Sequence, residues 1–132
     1  MSLHEHKQAV RCRIEDRLKA MSNQQRAQAS SDLCIRIEQA TRDIEGLVFA
    51  FLSMSSEADL DAYLEHRIPL GVAVPVVDWS EKSMYPCRLD GLSDADLSLD
   101  RHGLRTPIKK AALDRNLIRA VIVPGVAFDE SG

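Results

Sequence analysis

The chain has few cysteines, few aromatic residues and no long apolar run. Its 132 residues include three cysteines, Cys12, Cys34 and Cys87, without a Cys-x-x-Cys pair. This predicts reduced thiols and a cytoplasmic location rather than a disulfide framework. The longest apolar run, Leu47–Leu52, is far shorter than the roughly 18 residues that a membrane span needs. We therefore expect no membrane-spanning segment, and the charged N-terminal region gives no sign of a secretory signal.

An excess of positive charge is also lacking. Lys and Arg number 17 against 20 Asp and Glu, which gives a formal net charge of -3. No overall positive field is available to attract nucleic acid or an anionic membrane surface, so neither is an expected partner. The length and the 45% hydrophobic content predict a single globular domain spanning residues 1–132.

Common catalytic and nucleotide-binding motifs are missing as well. The sequence contains no G-x-S-x-G, no G-x-G-x-x-G and no G-x-x-x-x-G-K-[ST], which removes the simplest assignments of a nucleophile or a phosphate loop. The four histidines have no spacing typical of metal ligands, so no metal site is predicted.

What the chain does contain is an alternation of helical and strand patterns. Apolar residues recur at helical spacing from Glu5 to Lys19, and a second helix with Ser22 as its N-cap runs toward Arg42. The later predictions are a buried strand over Leu47–Leu52, a helix capped by Ser55 or Ser56, a second strand over Gly71–Val77, an edge strand over Ser83–Leu89, a short helix over Ile108–Asn116 and a third buried strand over Ala120–Val123. This order predicts an α/β fold with a mostly parallel sheet in three layers.

Three charged residues are candidates for ligand binding. Lys7 and Arg11 lie one turn apart on a helix face, where they could hold adjacent phosphates, although a solvated basic face has the same spacing. Glu57 follows the first strand, so its carboxylate could accept hydrogen bonds at the carboxyl edge of the sheet. The alternative is a glutamate that only stabilises a helix N-terminus. Asp59, Asp61 and Glu65 are interpreted as a solvated helix face.

Taken in order, these features resemble a known family. The motifs are Lys7-x-x-x-Arg11, Phe51-Leu52-Ser53-Met54-x-x-Glu57, Val74-Pro75, Met84 and Val123-Pro124-Gly125-x-x-Phe128-Asp129-x-x-Gly132. Together they are similar to the 5-formyltetrahydrofolate cyclo-ligase family, also called methenyltetrahydrofolate synthetase, from about Lys7 to Gly132. That family's fold is similar to the sugar-phosphate isomerase and CoA-transferase group, in agreement with the predicted element order.

The resemblance implies an ATP- and magnesium-dependent conversion of 5-formyltetrahydrofolate into 5,10-methenyltetrahydrofolate, with release of ADP and phosphate. The formyl oxygen would attack the γ-phosphate, and folate N10 would then close the ring as phosphate leaves. By motif match, Lys7, Arg11 and Gly132 would bind ATP. Leu52, Glu57 and Met84 would contact the folate. A third set would shape the loop into the nucleotide site: Pro124, Gly125, Phe128 and Asp129.

Two departures from the family pattern modify this expectation. Arg105-Thr106-Pro107 stands where many relatives have Glu-Pro. Relatives also continue past the equivalent of Gly132 into a loop of the form N-R-L-G-x-G-x-G-Y-Y-D, so we expect a domain that is incomplete at its C-terminus and an uncovered sheet edge that favours self-association. The alternatives are a non-catalytic folate- or nucleotide-binding homologue, and an isomerase-like fold that shares only topology.

Overall fold

The computed structural model describes residues 1–132. Two long helices begin the chain, α1 (Leu3–Ala20) and α2 (Asn23–Thr41). Both helices begin with a capping box. The Ser2 hydroxyl accepts from the Glu5 N–H, and the Glu5 carboxylate accepts from the Ser2 N–H. Ser22 and Gln25 form the same two hydrogen bonds at the start of α2. The N-cap predicted at Ser22 is confirmed. No residue of α1 is buried, whereas α2 buries Cys34 and Thr41.

A β-α-β unit follows, as predicted. Its elements are β1 (Leu47–Phe49), α3 (Asp61–Arg67) and β2 (Val72–Asp78), with a short 3₁₀ turn after α3. The strands pair in parallel, Val48 opposite Val72. The prediction that Ser55 or Ser56 caps the helix is wrong, because α3 begins at Asp61 and Leu60 precedes it without a side-chain cap.

The main sheet has four strands in the order β3-β2-β1-β6. The edge strand β3 (Ser83–Arg88) is antiparallel to β2, and β6 (Ile118–Val121) is parallel to β1. The predicted edge strand containing Pro86 is therefore confirmed, as is the α/β class with a mostly parallel sheet. The core joins α2 and α3 to one face of this sheet through the following cluster: Cys34, Ala50, Leu60, Tyr63, Leu64, Val72, Val74 and Leu89.

The last third of the chain differs from its predictions. No α-helix covers residues 108–116; the backbone there forms a bridge between Ala112 and Cys87, then a 3₁₀ turn at Arg115–Leu117. The final strand ends at Val121 rather than Val123 and is not buried, since Val121 is 56% exposed. A hairpin of β4 (Leu97–Leu99) and β5 (Arg105–Pro107) was not predicted.

No helix of the chain combines the length and the apolar character that crossing a membrane requires.

Candidate functional site

A groove of about 730 Å³ opens between α2, α3 and the connection that follows β1. Its walls carry both charges and hydroxyl groups. The lining side chains used below are Arg26, Ser30 and Cys34 of α2, Ser53, Met54, Ser55, Glu57 and Asp59 of the connection, Asp61 of α3 and Arg105 of β5. A groove at the carboxyl end of a parallel strand is where α/β sheets bind ligands.

Glu57 lies in this groove with one carboxylate oxygen held and the other free. Its Oε2 accepts a hydrogen bond from the backbone N–H of Met54 at 2.9 Å, and its own N–H donates to the Met54 carbonyl at 3.0 Å. Neither a hydrogen bond nor an ion pair from the chain reaches Oε1. The half-buried carboxylate is thus fixed by a local turn while it keeps an acceptor for a ligand N–H. Glu57 precedes α3 by four residues, so it is not the first-turn glutamate of the alternative interpretation.

The segment that carries this carboxylate, which we name the Glu57 loop (residues 53–60), is tied to α2. Arg26 donates to the Ser55 carbonyl at 2.7 Å and also to the Leu18 carbonyl at the end of α1. The Asp59 N–H donates to Ser30 Oγ at 2.9 Å. Within the loop, the Leu60 N–H donates to Ser53 Oγ at 3.0 Å, which closes it on itself.

Arg105 and Asp61 form a bidentate ion pair at the rim of the groove. The Arg105 Nη1 and Nη2 atoms lie 2.8 and 2.9 Å from the two Asp61 oxygens, and Nη2 also donates to the Ser53 carbonyl at 3.2 Å. The hydrogen bonds to Asp61 raise the pKa of Arg105 above its ordinary value, despite the opposing effect of burial. The interpretation of Asp61 as part of a solvated helix face is wrong, because its carboxylate is occupied by this guanidinium.

The other two predicted folate-contacting residues do not line the groove. Leu52 is half-buried and packs against the core cluster, one residue before the Glu57 loop. Met84 lies on β3 opposite Val77 and is 65% exposed.

Lys7 and Arg11 lie on α1 with their side chains in solvent. Both are exposed, and neither forms a hydrogen bond through its side chain or an ion pair with a carboxylate. Their charges are therefore available to an anion, but they do not line the groove that holds Glu57.

The segment from Pro124 to Gly132 follows β6 and is exposed throughout. A Cβ atom at Gly125 would overlap the ring of Phe128, so the close approach of these two residues requires glycine. The Asp129 carboxylate accepts from the N–H and the hydroxyl of Ser131, and these bonds lower the pKa of Asp129. Gly132 has φ +87, and its N–H donates to the Asp129 carbonyl at 3.1 Å.

The two buried cysteines, Cys34 and Cys87, are not activated as nucleophiles. All three cysteines are unpaired, and burial raises the pKa of both Cys34 and Cys87 above the ordinary value. A raised pKa keeps these thiols protonated at neutral pH, and only the thiolate is nucleophilic.

Sequence reasoning missed the residues that hold the Glu57 loop. Arg26 and Ser30 belong to an ordinary polar helix pattern, and Arg105 and Asp61 are 44 positions apart. The one available signal was that Arg105-Thr106-Pro107 stands where many relatives have Glu-Pro, which marked the segment without indicating a partner for Arg105.

These features define a class of protein: an α/β domain with a mostly parallel sheet and a polar groove at the carboxyl end of its central strand. Within that class, the chain belongs to the 5-formyltetrahydrofolate cyclo-ligase family, whose model matches residues 3–132. The predicted resemblance is thereby confirmed.

One solved structure gives an independent view of the fold. The NMR structure of 5,10-methenyltetrahydrofolate synthetase from Aquifex aeolicus superposes with a TM-score of 0.73 at 21% identity, covering 93% of this chain and 62% of that protein. The chain thus spans less than two thirds of the Aquifex protein, and at this identity the likeness shows the fold. Among curated protein sequences, none matches this chain.

Proposed function

We propose that this protein carries out the ATP-dependent cyclisation of 5-formyltetrahydrofolate to 5,10-methenyltetrahydrofolate, with release of ADP and phosphate. Membership of the cyclo-ligase family supports the reaction class. The observation that carries the proposal is the Glu57 carboxylate, which is anchored through Oε2 to the Met54 N–H while Oε1 has no partner within the chain. A fixed acceptor beside a groove suits the amino and ring N–H groups of a pterin.

On the folate side, the task of the protein is positioning. Glu57 would accept hydrogen bonds from the polar edge of the pterin, and Leu52 would pack against its apolar face. Met84, exposed on β3, would contact the same substrate. Holding the formyl oxygen and N10 in a reactive arrangement is the kind of contribution by which such a site accelerates a reaction.

On the nucleotide side, Lys7 and Arg11 fit a phosphate-binding role because their cationic side chains are exposed and have no acidic partner. ATP would supply the phosphoryl group that activates the formyl oxygen. Gly132 would contact the nucleotide, and Pro124, Gly125, Phe128 and Asp129 would shape the approach to it; the tight packing of Phe128 on Gly125 supports that role.

For magnesium, which the family resemblance implies together with ATP, residues 1–132 give no direct support. No group of three or more His, Cys, Asp or Glu side chains is arranged to hold a metal ion.

The second candidate function is a non-catalytic folate- or nucleotide-binding homologue. It is favoured by one observation: Lys7 and Arg11 do not line the groove that contains Glu57.

For either function, the unpaired cysteines support a cytoplasmic location. The exposed edge strand β6 supports self-association.

One experiment separates the two candidates. The protein is mixed with 5-formyltetrahydrofolate, ATP and magnesium, and the ultraviolet absorbance of the methenyl product is followed. Product formation above the uncatalysed rate, abolished in Glu57→Ala, is the expected result. Binding of 5-formyltetrahydrofolate or ATP without product would favour the non-catalytic homologue, and absence of binding would refute both. Glu65→Ala, which alters an exposed carboxylate of α3 outside the groove, is the matched control.

A further inference from the structure

The Glu57 loop is held at both of its ends by one side chain from a distant part of the chain. Arg105, on β5, donates to the Ser53 carbonyl where the loop begins and to both Asp61 oxygens just after it ends. The sequence separations are 52 and 44 residues. A guanidinium can make these three contacts together because its donors form a rigid planar fork.

The contacts of Arg105 act directly on the turn that fixes Glu57. Ser53, whose carbonyl Arg105 binds, also accepts the Leu60 N–H through its hydroxyl. Met54, the next residue, donates the N–H that fixes Glu57 Oε2. A shift of Ser53 would therefore move the donor that orients the carboxylate.

The ion pair between Arg105 and Asp61 is partly shielded from solvent. The Arg105 and Asp61 side chains are 28% and 36% exposed, so water only partly screens the pair, and the two-pronged geometry is the strong form of this interaction. Arg105 itself is carried by a hairpin whose next two residues, Thr106 and Pro107, are buried. Arg105 is thus attached to a buried part of the chain rather than to a loose surface loop.

We propose that Arg105 is a positioning residue: by bridging Ser53 and Asp61 it fixes the Glu57 loop and so orients the Glu57 carboxylate toward the groove. The proposal rests on the proposed function for the role of Glu57 in folate binding, although the bridging itself does not.

The first test measures the order of the loop. Amide hydrogen exchange is compared in the unaltered protein, Arg105→Ala, Arg105→Lys and the control Arg115→Ala. The Arg115 side chain is exposed and forms neither a hydrogen bond nor an ion pair. We expect the Met54 and Leu60 amides to exchange about three- to tenfold faster in Arg105→Ala. Arg105→Lys should give a smaller increase, because the ammonium group keeps the positive charge but cannot reproduce all the contacts of the guanidinium. Amides of β2 should be unchanged in every variant, and unchanged exchange in the loop of Arg105→Ala would overturn the proposal.

The second test measures affinity for 5-formyltetrahydrofolate by calorimetry in a double-mutant cycle. Arg105→Ala should weaken binding about three- to tenfold in the unaltered background and have no further effect in the Glu57→Ala background. An equal loss in both backgrounds would show that Arg105 acts independently of Glu57 and would overturn the proposal. If the unaltered protein does not bind 5-formyltetrahydrofolate, the proposed function fails, and the exchange result alone decides whether Arg105 holds the loop.

Discussion

Arg67 is a buried cation without an acidic partner. Its side chain in α3 donates to the carbonyls of Thr41, Ile44 and Gly46 at 2.8 to 3.1 Å, while its Nε has no partner. These bonds connect α3 to the end of α2 and to the residue before β1. The guanidinium therefore provides a donor to the Ile44 and Gly46 carbonyls, and it shares the Thr41 carbonyl with the Ile44 N–H.

Replacing Arg67 should weaken the whole fold. Arg67→Met keeps much of the apolar stem but removes the side-chain donor to the Ile44 and Gly46 carbonyls. We therefore expect a loss of about 3 kcal/mol in the free energy of unfolding, measured in urea. Arg36→Met, on the exposed side of α2, should change that free energy by less than about 0.5 kcal/mol. Equal effects of the two substitutions would contradict this account of Arg67.

Trp79, the single tryptophan, reports on a surface hydrogen bond. Its Nε1 donates to Asp100 at 2.9 Å, and the ring centroids of Trp79 and His102 lie 4.0 Å apart. The bond from Trp79 lowers the pKa of Asp100 from its ordinary value of 3.8. A lowered pKa in the folded state means that the stabilisation is complete above pH 3.8 and is lost only as the pH falls through the lower, folded value.

We therefore expect the change in Trp79 emission that Asp100 controls to occur below pH 3.8. Asp100→Ala should shift the emission to longer wavelength at neutral pH and remove this acid transition, because the indole loses its acceptor. Asp90→Ala, an exposed carboxylate without a side-chain hydrogen bond, should leave both features intact. An acid transition that survives in Asp100→Ala would show that another group controls the emission.

At the scale of elements, helices and strands contribute very differently to the core. Leu64 of α3 is fully buried, whereas Leu18 of α1 is only partly buried and α1 has no buried residue. The core thus depends on α2, α3 and the sheet, while α1 adds no buried residue to it.

This difference predicts a contrast between two identical substitutions. Leu64→Ala should lower the free energy of unfolding by about 2–5 kcal/mol, as expected for a cavity in a packed core. Leu18→Ala should cost less than about 1 kcal/mol, because little apolar surface is covered there. The measurement is urea unfolding followed by circular dichroism, and similar losses would mean that α1 packs more tightly than its exposure indicates.

Elements with strong local signals were predictable from the sequence. Ser22 marked the start of α2, the run from Leu47 marked β1, and Pro86 limited β3 to an edge. The β4–β5 hairpin was missed because its strands of three residues each are too short for an alternation to stand out. The apolar residues near Ile108 suggested a helix, but tertiary pairing of Ala112 with Cys87 draws that backbone into an extended form.

The candidate site was predictable only in part, for the same reason. The position of Glu57 after a parallel strand places its carboxylate at the carboxyl edge of the sheet, which local sequence can indicate. The contacts that hold it come from Arg26, Ser30 and Arg105, and these depend on how distant elements pack. Pairwise spacing along the chain contains no information about such contacts.

At the scale of the whole molecule, the two edges of the main sheet are unequal. The β3 edge contains Pro86 and is partly covered by the chain. The Leu113 N–H donates to the Pro86 carbonyl, and Ala112 forms a β-bridge with Cys87. The β6 edge pairs only with β1. Apolar side chains are exposed on and around it: Leu117 52%, Val121 56%, Val123 68% and Phe128 69%. An open strand edge flanked by apolar groups is a template for pairing with another chain.

We therefore predict that residues 1–132, as a separate chain, self-associate through β6, with two copies pairing their edge strands. Sedimentation velocity should show a species larger than the monomer whose proportion grows with concentration. Val121→Lys should shift the equilibrium back to monomer, because a charge on the edge strand opposes pairing. Leu99→Lys, which alters an apolar residue that is also exposed (68%) but lies on the β4–β5 hairpin, should leave the association unchanged. A monomer at every concentration tested would show that β6 does not pair between copies, and equal loss of association in both variants would place the interface elsewhere.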